Sequence, residues 1–213
     1  MRRLFLVFCA MAMGLAGIVA PVSAEVLTFG NGSRLIKLSK AKLQPRQREE
    51  FVEFRDFPGY FGAFAFNTRE DKGTFVRNYH SLETAKQAAM MGCKFNDKNK
   101  NGDCALYALI LPKGMKSNTQ QAVGLGQRGL KAFNKVYLPK QKKGTFNAFA
   151  ISGMSNWSWA TDYSSRSKAK SVALKACKKG VSESLATFVS GARRAIRKRG
   201  WHKCRLIDAS QTR

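Results

Sequence analysis

Between residues 193 and 201 the chain sets Arg193, Arg194, Arg197, Lys198 and Arg199 beside the indole of Trp201. Cations at this density attract phosphate, sulfate or carboxylate polymers, and a neighbouring ring adds a surface for stacking. The chemistry on offer is polyanion binding, with those six residues as its carriers. Leu185, Phe188, Val189, Ala192 and Ile196 recur at helical spacing through the same stretch, while Arg193, Arg194, Arg197 and Lys198 fall largely elsewhere. The pattern predicts one basic amphipathic helix over 182–199. Such a helix can rest its apolar face on the domain, lie on anionic lipid, or track a phosphate backbone.

Residue types suited to catalysis are sparse. His80 and His202 are the two histidines. His80 precedes a helix start, where a solvated ring is expected. No Gly-x-Ser-x-Gly nucleophile elbow is present. Gly124, Gly126 and Gly129 match a dinucleotide-binding glycine pattern, but no strand precedes them and no acidic residue follows at the required distance. Asp97, Asn99, Asn101, Gly102 and Asp103 copy the opening of a calcium loop, yet Ala108 stands where a bidentate Glu is needed. No cofactor and no metal site is expected.

The cysteines depend on compartment. Arg2 and Arg3, an apolar run over 4–19 and the small residues Val22-Ser23-Ala24 read as a secretory leader over 1–24. The run is too short for a membrane span, which takes roughly 18 or more apolar residues, and no later segment predicts a span. Removal of the leader takes Cys9 with it and leaves Cys93, Cys104, Cys177 and Cys204. An even count in an exported chain favours disulfides, in any of three pairings.

The elements that position these groups come in duplicate. Phe61 to Phe66 answer to Phe146 to Ile151, and Tyr79, Ser81, Ala85, Lys86, Ala89 and Cys93 recur 84 positions later as Tyr163, Ser165, Ala169, Lys170, Ala173 and Cys177. Equivalent cysteines should pair within each copy, which selects Cys93 with Cys104 and Cys177 with Cys204. Each bridge closes a loop and contributes about 3 kcal/mol in the chain-entropy model. Within each copy, Phe alternating with Ala predicts a buried strand. Ser81 and Ser165 predict helix N-caps. Positions 85, 88, 89, 92 and 93, with equivalents 169, 172, 173, 176 and 177, give a helix face of small residues that can lie close to a sheet. The expected order is strand, strand, helix, strand. Trp157 and Trp159 fall on one face of the second strand; Phe75 occupies the position of Trp159, which marks that site as core, whereas Trp157 and Trp201 have no aromatic counterpart.

These carriers, Phe61-Gly62-Ala63-Phe64-Ala65, Phe75, Ala85, Ala89, Cys93 and Cys104, then Phe146, Ala148, Ala150, Trp159, Ala169, Ala173, Cys177 and Cys204, resemble the DUF4189 family of bacterial exported domains of unknown function in two tandem copies. The second copy departs from the pattern through a long insertion between Cys177 and Cys204. The resemblance implies an exported, disulfide-bridged fold and transfers no activity.

The whole reading is an α+β protein with a leader at 1–24, an N-terminal segment at 25–56, a first unit at 57–112, a basic linker at 113–144 and a second unit at 145–208. A basic helical insertion is expected at 180–200. The units should pack together about a pseudo-twofold, with the linker across the outside. Formal net charge is +25, far above what solubility requires. From 168 to 205 twelve basic residues face the single acid Glu183, and from 113 to 143 there are eight basic residues and no acid. The expected protein is periplasmic or secreted and binds an anionic polymer or membrane surface, such as lipopolysaccharide, anionic phospholipid or nucleic acid. A cell-envelope hydrolase and a structural or partner-binding envelope protein are the alternatives.

Overall fold

A computed structural model describes residues 29, 32–57, 59–96, 103–115 and 124–212. The leader at 1–24 and most of the calcium-like motif lie outside them. Alternating Phe and Ala build the central strand of each of two sheets. In the first, β1 (Ser33–Lys37), β4 (Cys104–Pro112), β2 (Gly62–Asn67) and β3 (Gly73–Val76) lie in that order, all antiparallel. In the second, β6 (Trp157–Tyr163), β5 (Phe146–Ser152) and β7 (Cys204–Asp208) do the same. The helices α2 (Leu82–Asn96) and α4 (Arg166–Ala186) cross β2 and β5. The fold is therefore α+β, with two strand-strand-helix-strand units, and the two disulfides pair within units, Cys93 with Cys104 and Cys177 with Cys204.

The copies agree in details below the level of residue identity. Both central strands carry a register shift against their closing strands at the equivalent place, between Phe64 and Ala65 and between Phe149 and Ala150. Asn78 and Asp162, equivalent positions, both take left-handed backbone at φ 59° and 66°. Asn and Asp are the non-glycine residues that enter that region most readily. In both, the side-chain oxygen holds a distant segment: the Asn78 Oδ1 accepts from the Arg128 N–H at 3.3 Å, and the Asp162 Oδ1 from the Lys142 N–H at 3.2 Å. Ser81 accepts from the Thr84 N–H at 3.2 Å and Ser165 from the Lys168 N–H, as N-caps do. The small helix faces allow close approach. The Ser158 hydroxyl donates to the Ala173 carbonyl of α4, and a Cβ on Gly92 would lie 2.5 Å from the methyl of Thr74, the residue equivalent to Ser158.

The opposite face of each sheet is aromatic, and here the linker departs from expectation. In the first unit α1 (Pro45–Asp56) lays Phe51 and Phe54 on Phe64, with ring centroids 5.5 and 5.8 Å away. In the second, α3 (Gln127–Ala132) and the π-helical turn Phe133–Tyr137 that continues it set Phe133 and Tyr137 on Phe149 at 5.1 and 5.3 Å. Phe149 is the counterpart of Phe64. Residues 127–137 thus perform for the second sheet what α1 performs for the first: Leu130, Ala132, Phe133 and Tyr137 are buried against the core, while Arg128, Lys131 and Lys135 stay exposed, so the linker is a packed layer and not only an outer crossing. Sequence comparison missed this because the two helices share ring positions and almost no identities. One continuous core runs through both units.

Candidate functional site

The predicted basic helix is two helices. α4 ends at Ala186, and α5 (Ser190–Lys198) starts after a break at 187–189. Thr187, Phe188 and Val189 are all poor helix formers, and the Thr187 hydroxyl donates to the Ser184 carbonyl at 2.7 Å, competing with the backbone ladder. The amphipathic reading holds on α5 but not at the break, where Val189 of the expected apolar face is exposed. Ala192 and Ile196 are buried, whereas Arg193, Arg194, Arg197 and Lys198 point outward, as does Arg199 just past the helix. None of these five pairs with a carboxylate among the described residues. Arg197 and Lys198 also fall in the last turn, where the helix dipole favours cations.

Gly200 ends α5. It takes φ +72°, its N–H reaches the Arg197 carbonyl at 3.0 Å, and the Trp201 N–H reaches that of Ile196 at 3.2 Å. This paired closure is the glycine cap that commonly ends helices. It turns the chain so that Trp201 lies beside the cations, with the Arg199 guanidinium 5.5 Å from the ring centroid. The Gly153 N–H donates to the Trp201 carbonyl at 2.9 Å, and a Cβ at Gly153 would collide with that backbone at 2.8 Å. At the other end, the Phe95 ring of α2 fills the space over Gly191. With the Cys177–Cys204 bridge, the insertion is fastened at three places and presented as a fixed surface.

His80 is buried, contrary to the solvated ring expected at this position. Its Nδ1 accepts from the Gly126 N–H at 3.1 Å and its Nε2 lies 3.2 Å from the Asn156 carbonyl, which fixes the tautomer with the proton on Nε2. Burial pushes its pKa down to about 4, against the bond to Asn156 and with a small contribution from Arg205. The reason it is buried lies in the glycines. The Gly124 N–H donates to the His80 carbonyl at 3.0 Å, a Cβ on Gly126 would fall 2.5 Å from the Asn78 carbonyl, and one on Gly129 would meet the imidazole at 3.0 Å. The dinucleotide-like spacing therefore wraps a histidine. The His80 N–H also reaches the Met154 carbonyl at 3.3 Å, so this residue joins the first unit to the second.

With both ring nitrogens on backbone groups, His80 has no carboxylate partner, and no group of metal-ligating side chains occurs among the described residues. Trp157 stacks on Trp159 at 5.5 Å and stands partly exposed. It borders an inter-unit cleft with Arg77 and Arg128, a pair that sequence comparison passed over because neither arginine is repeated in the other copy. No helix among the described residues is long and apolar enough to cross a membrane. No protein-family model, no curated protein and no solved structure matches this chain.

Proposed function

We propose that this is an exported binding module for polyanionic surfaces, periplasmic or secreted, acting through the outward face of α5 and Trp201. The observation that carries the reading is that Arg193, Arg194, Arg197 and Lys198 share an exposed helical face without carboxylate partners among the described residues. Lipopolysaccharide, anionic phospholipid and nucleic acid all present charge arrays that such a face would meet. Disulfide pairing fits an oxidising compartment. Kinship with the DUF4189 domains belongs to the same proposal and adds no activity.

The test is salt dependence. Each phosphate contact on duplex DNA contributes about −0.9 to the slope of log K against log salt. Four engaged cations therefore supply about 3 to 4 of that slope, or roughly a hundredfold in affinity over a fourfold change in salt. Replacing Arg193, Arg194, Arg197, Lys198 and Arg199 with Gln should remove that portion on DNA, and should lower retention on heparin and on phosphatidylglycerol vesicles. Unchanged slope and unchanged heparin retention would refute the proposal.

A further inference from the structure

Between the two units lies a cleft of about 520 Å³, bordered by Arg77 and Asn78 after β3, by Arg128 on α3, and by Ser155, Asn156 and Trp157 at the turn into β6. Its volume is that of a small-ligand site, which typically spans roughly 300–1,000 Å³. Neither rim is complete in one unit alone.

Arg77 is held in place before any ligand arrives. Its guanidinium lies over the rings of Phe57 and Phe75, 4.5 and 4.7 Å from their centroids. One Nη donates to the Glu53 backbone carbonyl at 3.3 Å, and the other stands 3.6 Å from the Glu53 carboxylate. Contact with two rings restricts a side chain that otherwise samples many rotamers. Arg128 is exposed, and its backbone is tied to Asn78, the left-handed residue that directly follows Arg77. Burial lowers the Arg77 pKa from its ordinary value; Glu53 opposes this and the nearby charge of Arg128 adds to it. Two arginines thus line one cleft while their charges repel each other, and the carboxylate nearest Arg77, that of Glu53, is exposed. An anion between them relieves that repulsion. Trp157 supplies the other half of the recognition. Stacked on Trp159 and partly exposed, its indole lines the cleft.

We infer that this cleft binds a small anionic sugar, its phosphate or carboxylate held by Arg77 and Arg128 and its ring lying against Trp157. Planar guanidinium forks match either anion through paired hydrogen bonds. The apolar face of a sugar ring matches an indole, and the Ser155 hydroxyl with the Asn78 side-chain N–H groups offers hydrogen bonds for its hydroxyls. The site is separate from the α5 surface and stands or falls independently of it.

Binding is read from side-chain resonances of Arg77 and the Trp157 indole as glucose 6-phosphate, galacturonate, neutral glucose or inorganic phosphate is titrated into the intact protein. Expected are saturable shifts with one or both anionic sugars, much weaker ones with glucose and with phosphate alone, and the source of the anion shown by which sugar binds tighter. Arg128→Gln, an exposed change, should weaken binding about 10- to 100-fold, as loss of a hydrogen bond to a charged group does. The variant with five neutral residues on α5 should bind as the parent does. Absence of saturable shifts, equal binding of phosphate alone, indifference to Arg128→Gln, or loss of binding with the α5 variant would each overturn the assignment.

Discussion

Mild acid should destabilise this protein through His80. The ring takes a hydrogen bond at Nδ1 from Gly126 and gives one at Nε2 to Asn156, so only the neutral form satisfies both partners. A proton added at Nδ1 would face the Gly126 N–H with another donor. Burial, the main cause, holds the folded pKa near about 4, while the unfolded chain carries the ordinary 6.5. For a base depressed in this way the native state binds fewer protons than the unfolded one between those two values. The contribution is complete above pH 6.5, is lost as pH falls toward about 4, and changes no further below that. One proton corresponds to about 1.4 kcal/mol per pH unit, so the window removes about 3 kcal/mol. Set against a typical domain stability of about 5–15 kcal/mol, that is a large share. Urea unfolding at about pH 7 and about pH 5 measures it. The parent should lose about 2 kcal/mol over this interval, and His80→Gln, neutral at both values, should lose far less. Because that variant gives up one of the two hydrogen bonds, the comparison is of pH slopes and not of absolute stabilities. The Cε1 proton of His80 in the parent provides a direct check. A titration midpoint near the ordinary histidine value, or equal pH slopes in parent and variant, would refute the reasoning.

Two further outcomes follow from the packing. Phe133→Ala should cost about 3–5 kcal/mol by thermal or urea unfolding, as loss of a buried aromatic side chain does; a change under about 0.5 kcal/mol would mean that the linker rests on the surface after all. Replacing Cys177 and Cys204 together by Ser opens a loop with a sequence separation of 27, against 11 for the first bridge. The chain-entropy model assigns about 3–4 kcal/mol to the longer loop and about 3 to the shorter, so the second-unit variant should be the less stable of the two single-bridge variants.

Much of the frame was legible in the sequence because a duplication supplies its own comparison. Recurrent Ser81 and Ser165, the small helix faces and the paired cysteines each carry a local physical signal that is present twice. What stayed illegible has no counterpart or no identity. Phe133 and Tyr137 cover Phe149 as Phe51 and Phe54 cover Phe64, but rings can meet a sheet from helices of unrelated sequence, so no alignment exposes the equivalence. His80 read as solvated because a lone polar residue beside a cap usually is. Its burial depends on Gly126, distant in sequence, approaching closely enough to donate to the ring. The break at 187–189 lies inside an unbroken apolar period, and only the run of Thr, Phe and Val hints at it. Arg77 and Arg128 become neighbours through the packing of one unit on the other.

The segment 124–137 has consequences for how the molecule can be taken apart. Its glycines seal the imidazole of the first unit, and within two helical turns its rings roof the sheet of the second. A cut before this segment strips His80 of its cover; a cut after it bares Phe149. The two copies therefore do not behave as beads on a string. Neither half is a complete folding module, proteolysis in this stretch should release no stable fragment, and the pair is expected to melt in one cooperative transition despite its repeated design.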